Sequence, residues 1–556
     1  MASTRSLLAA FAGVVLLFLN ASQPVAAADA APALSGTVTS AEEGAMEGVV
    51  ISAKKSGSTM TISVVSDAQG RYRFPASKLE PGQYAIRIRA IGYDLDGRVN
   101  ADVAAQKTAT ADLKLRKTQD IAAQMSNAEW LASMPGTDKQ KNILLGCVGC
   151  HSLERIVRSK YDTDGFLATV QRMSTYANQT IPLHPQKRLT TRNTELVGED
   201  RVRVQRAQAE FLSSINLSQS ATWEYALKTF PRPKGKATQV VYTEYDLPRP
   251  TIEPHDVILG SDGMAWYSNF GEQTIGKLDP KSGKVTEFPV PELKKGSPLG
   301  ALSIRNDRDG NLWLGMMYQA SVGKFDPKTE KFQTFMIPAD MNAENTQLNM
   351  TSPWNMGVDG KLWLENNGFA GVHRIDLKTG KWETFEPFKK SLQGHNIYDV
   401  ASDSKNNAYF TDIGFEHIGR IDAKTGEITM YQTPTKDSGP RRAMMDAQDR
   451  LWFGEYRASA IGMFDTKTTD FKEWKLPTPW ANPYDVTVDK NGNAWTGSMI
   501  NDRVTRLNTK NGEFVEYLLP KETNIRRVFV DNSTTPVTFW VGSNHGASII
   551  KLEPLD

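Results

Sequence analysis

The sequence predicts a multidomain, mainly β chain: a β-sandwich, then a small α-helical domain, then a seven-bladed β-propeller. Three observations carry that order. Residues 33 to 116 alternate apolar and polar positions in short runs broken by turns, the period of half-buried strands. From 120 to 217 the apolar positions recur at helical spacing, and this stretch holds the only two cysteines. Beyond 238 an aromatic returns at 266, 313, 363, 409, 452, 495 and 540, every 43 to 50 residues, which is the period of propeller blades.

Ahead of these domains, residues 1–28 read as a secretory signal. Arg5 precedes an apolar run from Leu7 to Leu19, and Val25, Ala26, Ala27 and Ala28 suit cleavage after Ala27 or Ala28. That run is too short to span a bilayer comfortably, and no later segment approaches eighteen apolar residues. The mature chain is therefore expected in the periplasm, without a transmembrane segment. The sandwich at 33–116 carries Gly36, Gly48, Ser66, Asp67, Gly70, Tyr72, Phe74, Pro81, Gly82, Tyr84, Gly92 and Tyr93. This set resembles the carboxypeptidase regulatory-like, transthyretin-like module of secreted bacterial proteins. The resemblance implies an accessory or docking role, and nothing in the segment sets a nucleophile beside a base.

The cysteines lie in "ILLGCVGCHSLERI", as Cys147-x-x-Cys150-His151. Four chemistries use that spacing. Structural zinc wants four ligands, and no second cysteine pair or histidine at ligand spacing accompanies the motif. A thioredoxin-like dithiol follows a strand, whereas "TDKQKNILLG" before the motif and "SLERIVRSKY" after it read as helix. A disulfide closing so short a loop gains little chain entropy. Covalent haem remains: both thiols add to the porphyrin vinyls, and His151 is the proximal iron ligand. With "AEWLASM", "DGFLATVQRMSTYA" and "EDRVRVQRAQAEFLSSI" around it, the segment 120–217 resembles a small α-helical cytochrome c domain holding one haem c. Two residues compete for the sixth position. Met173 shares a helical face with Phe166 and Val170, and His184 lies in the loop "TIPLHPQKR"; an open position is the third reading.

A Pro- and Lys-bearing linker, 218–238, leads to the propeller at 239–556. Each unit runs from a turn such as "DGKLW" through the aromatic strand, then through "IGKLD", "VGKFD", "VHRID", "IGRID" or "IGMFD", to an outer strand like "TEFPVP". The last unit stops at "SIIKLEPLD", short of an outer strand. "QVVYTEYDLP", at 239–248, is an outer strand without a blade, so it should close the ring.

The "WF-x-E" and "IG-[RK]" strands and the "EPH" turn resemble the streptogramin (virginiamycin B) lyase family of seven-bladed propellers. That resemblance implies an elimination assisted by Mg²⁺ held on glutamates, with histidines as acid or base. Glu253 and His255 match the motif. Asn269 stands where a second metal glutamate is expected, and Arg526 where a further histidine is expected, so Mg²⁺ and lyase activity are not expected here. Read across blades, the recurrent turn places His255, Leu299, Trp354, Tyr398, Arg441, Tyr484 and Arg526 around the funnel, with Asn269, Met316, Asn366, Asp412, Glu455, Ser498 and Ser543 three residues after each aromatic. The first ring suits a small polar or aromatic substrate, or it closes on itself and buried water. Candidate catalytic residues are His255, Arg526, Glu455 and Asp412. His395 and His545 read as satisfied rim histidines.

Lys plus Arg number 65 and Asp plus Glu 63, and no basic stripe carries interleaved aromatics, so no nucleic acid is expected as a partner. Two function classes follow. The first is a periplasmic c-type cytochrome whose propeller recognises a redox partner or substrate, in electron transfer or as an oxidoreductase subunit. The alternative is a lyase-like or ligand-binding propeller with an accessory haem domain.

Overall fold

The computed structural model describes residues 31–190, 196–217, 225–391 and 394–556; the expected signal sequence lies outside them. The alternation at 33–116 produces two packed sheets. One holds Leu34–Ser40, Arg71–Phe74, Tyr93–Leu95 and Leu113–Lys117, and the other Val50–Lys55, Met60–Val65, Gly82–Arg89 and Val99–Val103. Val38, Ile51, Tyr72, Phe74, Ile86 and Leu113 fill the space between them.

Seven four-stranded antiparallel blades follow. Strand Val240–Asp246 pairs with Ser548–Pro554 from Val240↔Pro554 to Asp246↔Ser548, so the first propeller strand completes the last blade. Its other edge is also paired. Met60–Val65 of the sandwich runs antiparallel to it from Val241↔Val64 to Tyr245↔Met60, so one eight-stranded sheet passes from blade 7 into the N-terminal domain. An edge that would otherwise expose a row of unpaired backbone groups is covered. Arg89 reinforces the joint, donating to the Leu519 and Lys521 carbonyls at 2.9 and 2.6 Å and to Asp502 at 2.6 Å. The sandwich is thus a structural extension of blade 7 as well as a neighbour.

The blade signatures have steric and hydrogen-bonding causes. In "DRDGNLW", "DAQDRLW" and "DKNGNAW" the leading aspartate, Asp307, Asp446 or Asp489, caps its own turn and accepts from the indole N–H six residues on, at 2.8 to 2.9 Å. The glycine of "IG" lies across the strand pair from the residue after the blade aromatic: Gly276 from Tyr267, Gly419 from Phe410, Gly462 from Phe453. Each ring lies over the glycine so closely that an added Cβ would stand 1.9 to 2.2 Å from it. Where the facing residue is Leu364, Thr496 or Val541, the position carries His373, Thr505 or Ile550 instead, whereas in blade 2 Gly323 faces Leu314.

Between sandwich and propeller the chain forms helices α1 (Asn127–Ser133), α2 (Asp138–Lys141), α3 (Leu144–Cys147), α4 (Glu154–Val157), α5 (Thr163–Met173) and α6 (Gly198–Ile215). Ser126 and Glu129 form a capping box at α1. The helix read on either side of the two cysteines is in short pieces, α2, α3 and α4, with breaks after Lys141 and after Cys147. The carbonyls of Val148 and Gly149 turn away from the helical ladder to accept hydrogen bonds from propeller side chains. The described part of the linker is pinned: Phe230 N–H donates to Glu129, and Arg232 reaches the Glu47 carbonyl and Glu43. No helix among the described residues is long and apolar enough to cross a membrane.

Candidate functional site

Strand register, rather than motif spacing, defines the funnel ring. The residue after the blade aromatic pairs with Val257, Ile304, Thr351, Val400, Ala443 and Val528 in blades 1 to 5 and 7. Two positions earlier stand His255, Leu302, Asn349, Tyr398, Arg441 and Arg526, and Tyr484 takes the same place in blade 6 beside the Pro483↔Ser498 bridge. Five sequence assignments agree. Leu299 and Trp354 do not: Leu299 is held by Gln186 above the ring, and Trp354 is 53% exposed with Arg308 over its indole. Proline-containing turns in those two blades imitate the motif one turn away from where the register puts it.

The ring residues bond one another in one direction. Arg441 donates to the Tyr398 hydroxyl at 3.2 Å, so Tyr398 gives its proton to the Tyr484 hydroxyl, and Tyr484 donates to His255 Nε2 at 3.0 Å. His255 Nδ1–H then donates to Asp256 at 2.9 Å. Burial pushes the His255 imidazole down to about 3, so it is neutral and its one lone pair is used by Tyr484. Arg441 also stacks on Tyr456 and Tyr484 at 4.4 and 4.2 Å. Below this layer, Arg442 and Arg527 pair with Asp256, and Arg305 with Asp399, closing the channel with opposed charges.

Over the funnel sits the helical segment. Ala128 N–H donates to the Ile500 carbonyl at 2.8 Å, and Gln179 and Gln186 reach the Leu299 carbonyl from the other side. Trp130, Leu144, Val148 and Leu153 share one buried cluster with Tyr456, Tyr484, Met499 and Ile500, and Cys147 packs against it. The Cys-x-x-Cys-His loop itself is gripped by the propeller. Asn524 Nδ2 donates to the Val148 carbonyl at 3.0 Å, and Arg526 and His545 Nε2 donate to the Gly149 carbonyl at 2.9 and 3.1 Å. Sequence reasoning missed Asn524: nothing around it signals a partner 376 residues away.

The sequence profile of the virginiamycin B lyase family matches residues 234–443 and 296–554, together more than half of the chain. The chain belongs to the virginiamycin B lyase family. The carboxypeptidase regulatory-like domain profile matches 33–116. Among solved structures, virginiamycin B lyase from Staphylococcus aureus is 24% identical, with 56% of this chain and 99% of that one covered and a TM-score of 0.48. A streptogramin B lyase is 22% identical over 58% and 99%, with a TM-score of 0.49. A catalytically inactive variant of the Staphylococcus aureus lyase with quinupristin is 23% identical over 56% and 99%, with a TM-score of 0.48. No curated protein matches the chain.

Against the Mg²⁺ that the lyase resemblance implies, the residues fit poorly. Burial pushes the Glu253 carboxyl up to about 8 despite Arg526 nearby, so it is largely neutral at pH 7; its Oε2 accepts from Asn544 at 2.8 Å. Asn269 braces its turn, accepting from the Glu253 and Gly271 N–H groups and donating to Glu272 and Thr274. Glu455 is pushed up to about 9 by burial and by Glu473, and Asp412 is engaged by His395. Of the positions that the resemblance assigns to the metal, only Glu253 offers a carboxylate, and Arg526 adds a positive charge beside it.

The Cys-x-x-Cys-His residues retain the thiols and the imidazole that a covalent haem would use. Cys147 and Cys150 are free, and burial holds both thiols protonated, at about 12 and 11. One turn brings them together: the Cys150 and His151 N–H groups both donate to the Cys147 carbonyl. His151 Nδ1 lies 2.9 Å from the Ser152 carbonyl, which can only accept, so the proton sits on Nδ1 and Nε2 keeps its lone pair. Burial lowers the His151 pKa, which also favours the neutral ring. Met173 ends α5, 39% exposed and outside the cluster that holds Cys147. His184 is half-buried in a turn, its Nδ1 without a hydrogen-bond partner among the described residues.

Proposed function

We propose that this chain is an exported c-type haem protein in which a lyase-family propeller serves as the recognition and docking body for a helical haem segment. One observation carries the reading. The Cys-x-x-Cys-His loop is seated on the funnel mouth by Asn524, Arg526 and His545, in the quarter where Glu253 and His255 lie. Cys147, Cys150 and His151 would hold the haem, which when bound supplies one-electron chemistry. The protein's own groups give it surroundings suited to that role: a neutral His255, phenols at Tyr398 and Tyr484, and the Arg441 guanidinium, hydrogen-bonded in series. A redox partner or a small polar or aromatic substrate would be read by the propeller's top face.

The test is expression with an export signal in a host that matures c-type cytochromes. Haem that stays with the polypeptide on a denaturing gel, and is lost in the Cys147→Ala/Cys150→Ala double variant, supports the proposal. Absence of covalent haem in the wild type refutes it. Chelator-sensitive opening of a streptogramin ester, abolished by His255→Ala, would instead favour the lyase chemistry of the family.

A further inference from the structure

Outside the funnel, blade 4 brings together three metal-ligating side chains. Asp412 ends strand Ala408–Asp412, His417 opens His417–Ile421 directly opposite it in register, and His395 lies just before Ile397–Ser402. Each offers one ligand atom, and the three atoms lie within 4.8 Å of one another. Asp412 Oδ2 is 2.7 Å from His395 Nδ1 and 3.4 Å from His417 Nδ1. We propose that His395, Asp412 and His417 form a binding site for a first-row divalent transition ion of the zinc type.

The carboxylate is aimed. Asp412 Oδ1 accepts from the Asn396 and Gly414 N–H groups at 2.9 and 3.0 Å, which leaves Oδ2 turned to the imidazoles. Backbone support of this kind is what orients ligating carboxylates in metal sites. The His395 ring is fixed as well, stacked on Phe388 at 3.8 Å and 3°.

Hydrogen bonding alone leaves the cluster incomplete. His395 Nδ1–H satisfies Oδ2, but His417 Nδ1 is buried and has no hydrogen-bond partner among the described residues. A buried polar atom left without a partner carries an uncompensated desolvation cost, which a bound ion removes. A single cation engages all three atoms. Ligands bound at ~2.0–2.1 Å in a tetrahedral arrangement stand ~3.3 Å apart; Asp412 and His417 stand at 3.4 Å, Asp412 and His395 at 2.7 Å, and all three atoms within 4.8 Å. Two imidazoles and one carboxylate select a transition ion over Mg²⁺ or Ca²⁺. The nearby Arg457 guanidinium spends its donors on the carbonyls of Ile413, Gly414 and Phe415 rather than on Asp412. Three protein ligands leave a coordination position for water or an added ligand.

The experiment titrates chelator-stripped full-length protein with Zn²⁺ against a chromophoric chelator. One equivalent should bind, and His395→Ala and His417→Ala should each weaken it by ~100-fold or more, at or beyond what loss of an outer-shell partner costs. Zinc X-ray absorption on the wild type, which haem iron does not disturb, should show scattering from two imidazoles and so decides the case even where a variant fails to fold. No stoichiometric binding, a spectrum without paired imidazoles, or binding undiminished in two folded variants overturns the proposal.

Discussion

Replacing Arg526 with alanine should release the haem-motif loop from the propeller. Arg526 is 4% exposed, donates to the Gly149 carbonyl at 2.9 Å, and through Nε donates to Asn524 Oδ1 at 2.5 Å, which aims the Asn524 side-chain amide at Val148. Only the first bond crosses the joint directly. A hydrogen bond to a charged group is worth about 1.5–3 kcal/mol, and tenfold in an equilibrium corresponds to about 1.4 kcal/mol. The loop should therefore open ~10- to 100-fold more often. Native-state amide hydrogen exchange followed by mass spectrometry reads this directly. Amides in 143–156 should exchange faster by that factor, while strand Ala408–Asp412 in blade 4 keeps its wild-type rate. Arg526→Lys, which retains the charge and loses the fork, should fall between. Unchanged exchange in 143–156, or an equal acceleration in blade 4, would refute the reasoning.

Two further outcomes follow from buried contacts. Gly419→Ala puts a Cβ 1.9 Å from the Phe410 ring and should destabilise the chain by ~1–3 kcal/mol, as overpacking does; Phe410→Leu in the same chain should recover part of that loss, measured by chemical denaturation as a double-mutant cycle. Glu253 binds its proton up to about 8 when folded, against an ordinary 4.5 when unfolded. The native state thus holds more protons between those values, and its stability falls as pH rises, by at most ~1.4 kcal/mol per pH unit. Glu253→Gln lacks that slope, so its advantage in urea midpoint over the wild type should grow from pH 5 to pH 8; a constant or shrinking difference would show that Glu253 is ionised in the native protein.

The sequence by itself determined what repeats and what is local. Seven aromatics at blade spacing sufficed for seven blades, since each blade buries one large ring at the same place in its second strand, and the orphan outer strand at 239–248 had only the last blade to complete. Cys147, Cys150 and His151 could be singled out because the motif is local, held within one turn of chain. Tertiary structure alone decided the rest. Whether Leu299 or Leu302, Trp354 or Asn349 enters the funnel depends on strand register, which local turn motifs imitate. That the sandwich extends blade 7 depends on which strand edge lies open, and backbone pairing leaves little mark on side-chain choice. The union of Val148 and Gly149 with Asn524, Arg526 and His545, and of His395 with Asp412 and His417, joins residues whose own neighbourhoods are ordinary. Such groups acquire their chemistry from burial and from partners distant in the chain, and only the folded chain supplies both.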